Sequence, residues 1–196
     1  MSTGEVTRLL GAVRNGDREA LDALLPHVYD ELRAAARVQL HRVRNDPALQ
    51  PTAVVHEAYM KLVRTNGIAA ADRAHFLAIA AAAMRQVLVD HARAMLSRKR
   101  GGGWKQTRLT AGSRTYELSP EDVIALDRAL ATLDERQRQV VECRYFAGME
   151  EKEIADALGI SDRTVRREWV KARAWLYSSL YGGEGGAQSE EQSRQD

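Results

Sequence analysis

Apolar residues recur one helical turn apart along nearly the whole chain, and this 3.6-residue period constrains the fold more than any other feature. Val6, Leu9, Leu10 and Val13 mark a short first helix. Gly16 breaks it, and Asp17 stands where it can cap the next. Leu21, Leu24, Leu25, Val28, Tyr29 and Leu32 trace one stripe, with Pro26 inside it, where a kink or a helix restart is expected. A third helix is predicted over 52–64, on Val54, Val55, Ala58, Tyr59, Leu62 and Val63. A long fourth is predicted over 73–98, its middle from Phe76 to Ala83 almost wholly apolar. Ser119, Pro120, Glu121 and Asp122 form a helix start and open a second series, expected at about 120–132, 134–146, 150–158 and 162–180. Aromatics are only 6% of the chain, while Ala, Leu, Arg and Glu are frequent, so an all-β fold is excluded.

Between the two series the period is lost. Residues 101–103 are all glycine, and Gly, Ser, Thr and basic residues dominate as far as Leu118. The expected architecture is therefore all-α. Two small helical domains, 5–98 and 119–181, are joined by a flexible basic linker, 99–118, and followed by a disordered acidic tail, 182–196.

The net charge of +2 hides its layout. Residues 1–100 carry 15 Lys/Arg against 10 Asp/Glu, residues 119–181 carry 10 against 12, and the tail carries 1 against 4. Arg93, Arg98, Lys99, Arg100, Lys105, Arg108 and Arg114 follow one another with no acid between them, which points to a polyanionic partner or a solvated linker. No apolar run reaches the roughly 18 residues of a membrane span. Met1 to Glu5 lack the pattern of a secretory signal, and the single Cys143 rules out an internal disulfide, so the cytoplasm is the expected compartment. The histidines at 27, 41, 56, 75 and 91 have no metal-ligand spacing, and residues 101–103 lack the Gly-Lys-Ser/Thr of a phosphate loop. Neither an enzyme nor a cofactor or metal is expected.

The most informative segment is 151–169, EKEIADALGISDRTVRREW. Ile154 and Leu158 face a core, Ala155 is small where two helices must approach, Gly159 permits a tight turn and Ser161 caps the helix that follows. Val165, Trp169, Ala172 and Leu176 anchor that helix on one side. This is the pattern of a helix-turn-helix. The outward face carries Arg163, Thr164, Arg166, Arg167 and Lys171, fit for base edges and phosphates in a major groove. Glu168, within that face, is open to a cytosine contact, a salt bridge or plain solvation.

From here the whole chain resembles a bacterial sigma factor of the extracytoplasmic-function group. Residues 133–148, with LDERQRQVV and RYFAG, lead into the helix-turn-helix as in sigma domain 4. Residues 52–63, TAVVHEAYMKLV, are similar to the polymerase-binding helix of sigma domain 2, and residues 84–93, MRQVLVDHAR, to the helix that meets the −10 element. The resemblance implies two partners, core RNA polymerase and promoter DNA, and members of the group are often held by an anti-sigma factor. It implies polymerase contact at His56, Glu57, Met60 and Lys61, and −10 contact at Asn66, Asp72, Arg73, Arg85, Gln86, His91 and Arg93. It implies −35 contact at the basic face of the last helix. Phe76 is expected in the core, with support of a base pocket as its other role.

The sequence departs from the family pattern at Gln86, where Asn is usual, and at Ile79 to Met84, which lack the usual aromatics, so strand opening would lean on the loop 65–74. Glu150 stands where a Ser or Thr cap is usual. The rival reading is a stand-alone helix-turn-helix regulator, which accounts for 119–181 and leaves 5–100 unexplained.

Overall fold

Local capping chemistry sets most of the helix ends. The computed structural model describes residues 3–43, 49–65, 68, 70–100 and 118–181, the side chains of Thr3, Lys99, Arg100 and Tyr181 excepted. The expected tail, 182–196, most of the expected linker and Asn66 lie outside the described residues. Helix α1 spans Thr3–Arg14, and α2 spans Arg18–Arg42 with its first turn capped by Asp17, whose carboxylate accepts from the Ala20 amide at 3.1 Å. Helix α3 spans Pro51–Arg64 and starts on Pro51, whose missing N–H costs nothing at that position. Helix α4, Arg73–Arg100, is capped by Asp72, which accepts from the His75 amide at 2.8 Å.

In the second half, α5 spans Pro120–Ala131 behind a reciprocal capping box of Ser119 and Asp122. Helix α6, Glu135–Val141, is capped by Asp134 and passes into a π-helical turn, Glu142–Phe146. Helices α7, Glu151–Leu158, and α8, Asp162–Tyr181, complete the described elements. The fold is all-α, as the periodicity implied.

Two local features bear on the expected course. Of the two outcomes expected at Pro26, the restart is absent, since α2 runs through it as one helix. Proline removes one helical hydrogen bond, and the flanking Leu21, Leu24 and Val28, all buried, hold the helix together by packing. The π turn interrupts what reads in sequence as a single helix over 134–146. Its wide winding turns the Ala147 amide back to the Glu142 carbonyl at 3.0 Å.

The two halves meet along α4. One buried cluster takes Leu24, Val54, Phe76 and Met84 from the first half and Leu130, Val141, Phe146 and Ala172 from the second. A second packs Ala78 of α4 against Val140, Cys143, Ile154 and Val165. A third joins Val89 and Ala92 to Val123. Gln39 of α2 is buried in the joint and donates from Nε2 to the Phe146 carbonyl at 3.1 Å and the Ala81 carbonyl at 3.3 Å. Arg42 donates to the Tyr145 carbonyl and stacks over that ring at 3.8 Å. The end of α2 also accepts from the start of the second half, Leu118 N–H to Arg42 carbonyl at 2.7 Å.

Candidate nucleic-acid interface

Helices α7 and α8 are joined by three residues. Gly159 sits at φ 63°, in the left-handed region where a side chain is strained, and its amide closes the last turn of α7. The Ser161 hydroxyl accepts from the Thr164 amide at 3.2 Å and starts α8. Glu153 accepts from the Glu150 amide at 2.8 Å, which supplies the start of α7 where a Ser or Thr cap is missing. Ile154, Ala155, Val165 and Ala172 are buried, and Trp169 packs against the same cluster. These anchors turn Arg163, Arg166, Arg167 and Lys171 outward, all exposed, with Thr164 half-buried beside them.

The bases of that face differ in their partners. Arg166 donates from Nε to Glu151 of α7 at 2.5 Å. Arg167 donates from Nε to its neighbour Glu168 at 2.9 Å. Arg163 and Lys171 have no ion-pair partner among the described residues. Glu168 is not solvated: its side chain is only 8% exposed and lies under Arg167. Of the three alternatives, the structure shows a salt bridge, and it is made to the adjacent residue, Arg167.

On the first half, His56, Glu57 and Met60 of α3 are exposed, opposite the buried Val54, Val55, Ala58 and Leu62. Lys61 is tied to Asp90 of α4 at 2.6 Å. Asp72 caps α4 with its side chain, and Arg73 donates to Glu31 of α2, at 3.1 Å from Nε. Phe76 is 2% exposed and belongs to the core.

Arg85, Gln86 and Arg93, all on one face of α4, converge on a single carboxylate of α5. Arg85 donates to Oδ1 of Asp127, Gln86 donates to the same oxygen at 3.2 Å, and Arg93 lies 3.4 Å from Oδ2. Arg85 also donates to Glu142 at 2.9 Å, and its side chain is 12% exposed. His91 is half-buried on the same helix. Sequence reasoning placed the three donors on one face and missed the acceptors, Asp127 and Glu142. The signal was present in the charges, since the first half is net positive and the second net negative.

Burial raises the Glu142 carboxyl above its ordinary value of 4.5, and the Arg85 guanidinium pulls it back only in part. Folding therefore takes up a proton at Glu142 between its ordinary pKa and the raised one, so stability falls as pH rises through that window. Glu142→Gln is expected to flatten this part of the profile, as measured by urea midpoints from pH 4 to 7. A variant profile parallel to the wild type would remove Glu142 as its cause. Cys143, next in the chain, is fully buried, and its thiol is pushed up to about 12 by burial and by Glu142, which leaves it inert.

A family model for ECF sigma factors matches residues 3–182. The chain is an ECF sigma factor. Membership makes it a regulator of transcription initiation, with core RNA polymerase and promoter DNA as its partners. No curated protein sequence matches it. Among solved structures, the sigma factor is similar to CnrH in complex with the cytosolic domain of CnrY, at 22% identity over 90% of this chain and 97% of that one, with a TM-score of 0.39. No described helix is long and apolar enough to cross a membrane.

Proposed function

We propose that this sigma factor docks on core RNA polymerase through the exposed face of α3, reads the −35 element with α8 and opens the −10 DNA with α4 and the loop before it. The observation that carries this reading is the family match, which spans both halves and so includes α3 and α4 as well as the α7–α8 pair. A stand-alone regulator would need only the second half.

The chemistry of the parts supports the assignment. The α3 face combines a cation, an anion and an apolar group, Lys61, Glu57 and Met60, suited to a mixed protein surface. Helix α8 presents four bases on one side, opposite the apolar anchors that fix its angle. The working compartment is the one that holds DNA and polymerase.

Run-off transcription with core polymerase on a pool of host promoter fragments tests the reading. Discrete new transcripts, absent without the protein, are expected. No transcripts, together with no co-elution with core, would transfer the function to a free regulator. On a promoter found this way, Arg166→Ala with Arg167→Ala is expected to weaken −35 recognition, with discrimination falling by about 1–3 kcal/mol for each base edge that is no longer read. Wild-type footprints from the double variant would take both residues out of the interface.

A further inference from the structure

Among the described residues, Glu168 is the one charged side chain that is buried, and it sits on the helix assigned to the −35 element. It is 6% exposed, one turn from the buried Val165 and Ala172. A buried carboxylate is costly unless it is paired. The partner is Arg167, which donates to Oε1 from Nε at 2.9 Å and approaches the same oxygen with Nη2 at 2.8 Å. We infer that Glu168 is a positioning residue, which holds the Arg167 fork so that it reads a guanine of the −35 element. The inference deepens the −35 role proposed for α8 and rests on it.

The donors left over decide the base. Arginine carries five N–H donors in one planar fork. Nε and Nη2 of Arg167 face Glu168, which leaves the outer edge of the fork, Nη1 and Nη2, to a ligand, and the side chain is 58% exposed. In the major groove guanine offers two acceptors side by side, O6 and N7, whereas adenine and cytosine present an amino donor and thymine a single oxygen. A phosphate accepts as well, but Glu168 offsets the charge that draws one. A neutral base edge calls for direction more than charge, and the pair keeps direction. Arg167 stands in the second turn of α8, in the N-terminal part of the helix that meets base edges in this motif. Arg166 is held differently, by Glu151 of the neighbouring helix, whose side chain is 24% exposed.

The test uses the holoenzyme, the full chain with core polymerase, on a promoter from the run-off pool whose −35 region is randomised. Sequencing the templates that the holoenzyme retains gives base preference position by position. Wild type is expected to show a guanine position that Arg167→Lys erases, because an ammonium cannot make the paired contact. Glu168→Leu, which keeps nearly the same volume and loses the acceptor, is expected to lower the guanine preference about tenfold at that position alone. Glu168→Gln, which keeps an acceptor without its charge, is expected to fall between wild type and Glu168→Leu. In the Arg167→Lys background, Glu168→Leu is expected to change no base preference further.

A second readout separates positioning from folding. Glu168→Leu releases the Arg167 charge to a phosphate, so the slope of log affinity against log salt is expected to steepen by about 0.9, with no loss of affinity at low salt. A helix damaged by the change would instead lose affinity and preference evenly at every position, and that result overturns the inference. A guanine preference unchanged in Glu168→Leu, or surviving in Arg167→Lys, overturns it too and leaves the −35 role standing. Should Glu168→Leu fold poorly, the isosteric Glu168→Gln decides, and a guanine preference equal to wild type in that variant overturns the proposal. No base preference in wild type at any randomised position would remove the −35 role itself, and the inference with it.

Discussion

Arg85→Ala is expected to lower the free energy of unfolding by about 3–5 kcal/mol, the usual cost of stripping one partner from a buried ion pair. The guanidinium is the cation between two acids of the other half, Asp127 and Glu142, whose side chains are 14% and 13% exposed. Without it both carboxylates face each other and an apolar seam that includes Phe146, over which the guanidinium lies at 5.8 Å. Urea unfolding followed by circular dichroism measures the loss. A change under about 1 kcal/mol, the range of surface pairs, would show that water reaches this cluster freely. Arg85→Lys keeps the charge but cannot span both acceptors with a planar fork, so it should recover only part of the loss.

Phe76→Ala is expected to cost a similar amount, about 3–5 kcal/mol, from lost burial and the cavity left behind. Phe76 lies at the start of α4 within the cluster that holds Leu24, Val54 and Met84. The measurement also discriminates between its two roles. A core residue loses stability and leaves promoter preference unchanged at a temperature where the variant is folded. A base-pocket residue would shift the preference at the −10 element with little loss of stability. Run-off products from the same promoter pool, read beside the urea midpoint, distinguish the two.

What could be read from the sequence was local. Asp17, Ser119, Gly159 and Ser161 each act within a turn of their own position, through a cap or a left-handed residue, so their roles follow from neighbours in the chain. The apolar stripes of α2, α3 and α8 were legible for the same reason, because helical period alone decides which side is buried. The pairing of Arg85, Gln86 and Arg93 with Asp127 was not, because it joins residues more than thirty positions apart and depends on how two halves dock. Gln39 was missed because a polar residue on a buried stripe is recognised only once its acceptors, the Ala81 and Phe146 carbonyls, are known. The π turn left no mark on the period either, since Val140, Val141 and Cys143 are apolar on any winding. Glu168 was ambiguous by type, and only its depth under Arg167 decided among the alternatives.

The acids built into the last two helices bear on how duplex binding responds to salt. Each phosphate neutralised by a solvated base releases a condensed cation, which gives a slope of about −0.9 per contact in log affinity against log salt. Arg166 and Arg167 are not unpaired bases of that kind, because Glu151 and Glu168 already hold them. When such an arginine swings to a phosphate, DNA sheds a cation and the abandoned carboxylate gathers one, so little is released. Arg163 and Lys171 then set the slope at about −1.8, against about −3.6 if all four bases counted. Promoter engagement by this helix would hold up better against changes in cellular ionic strength than its charge alone suggests.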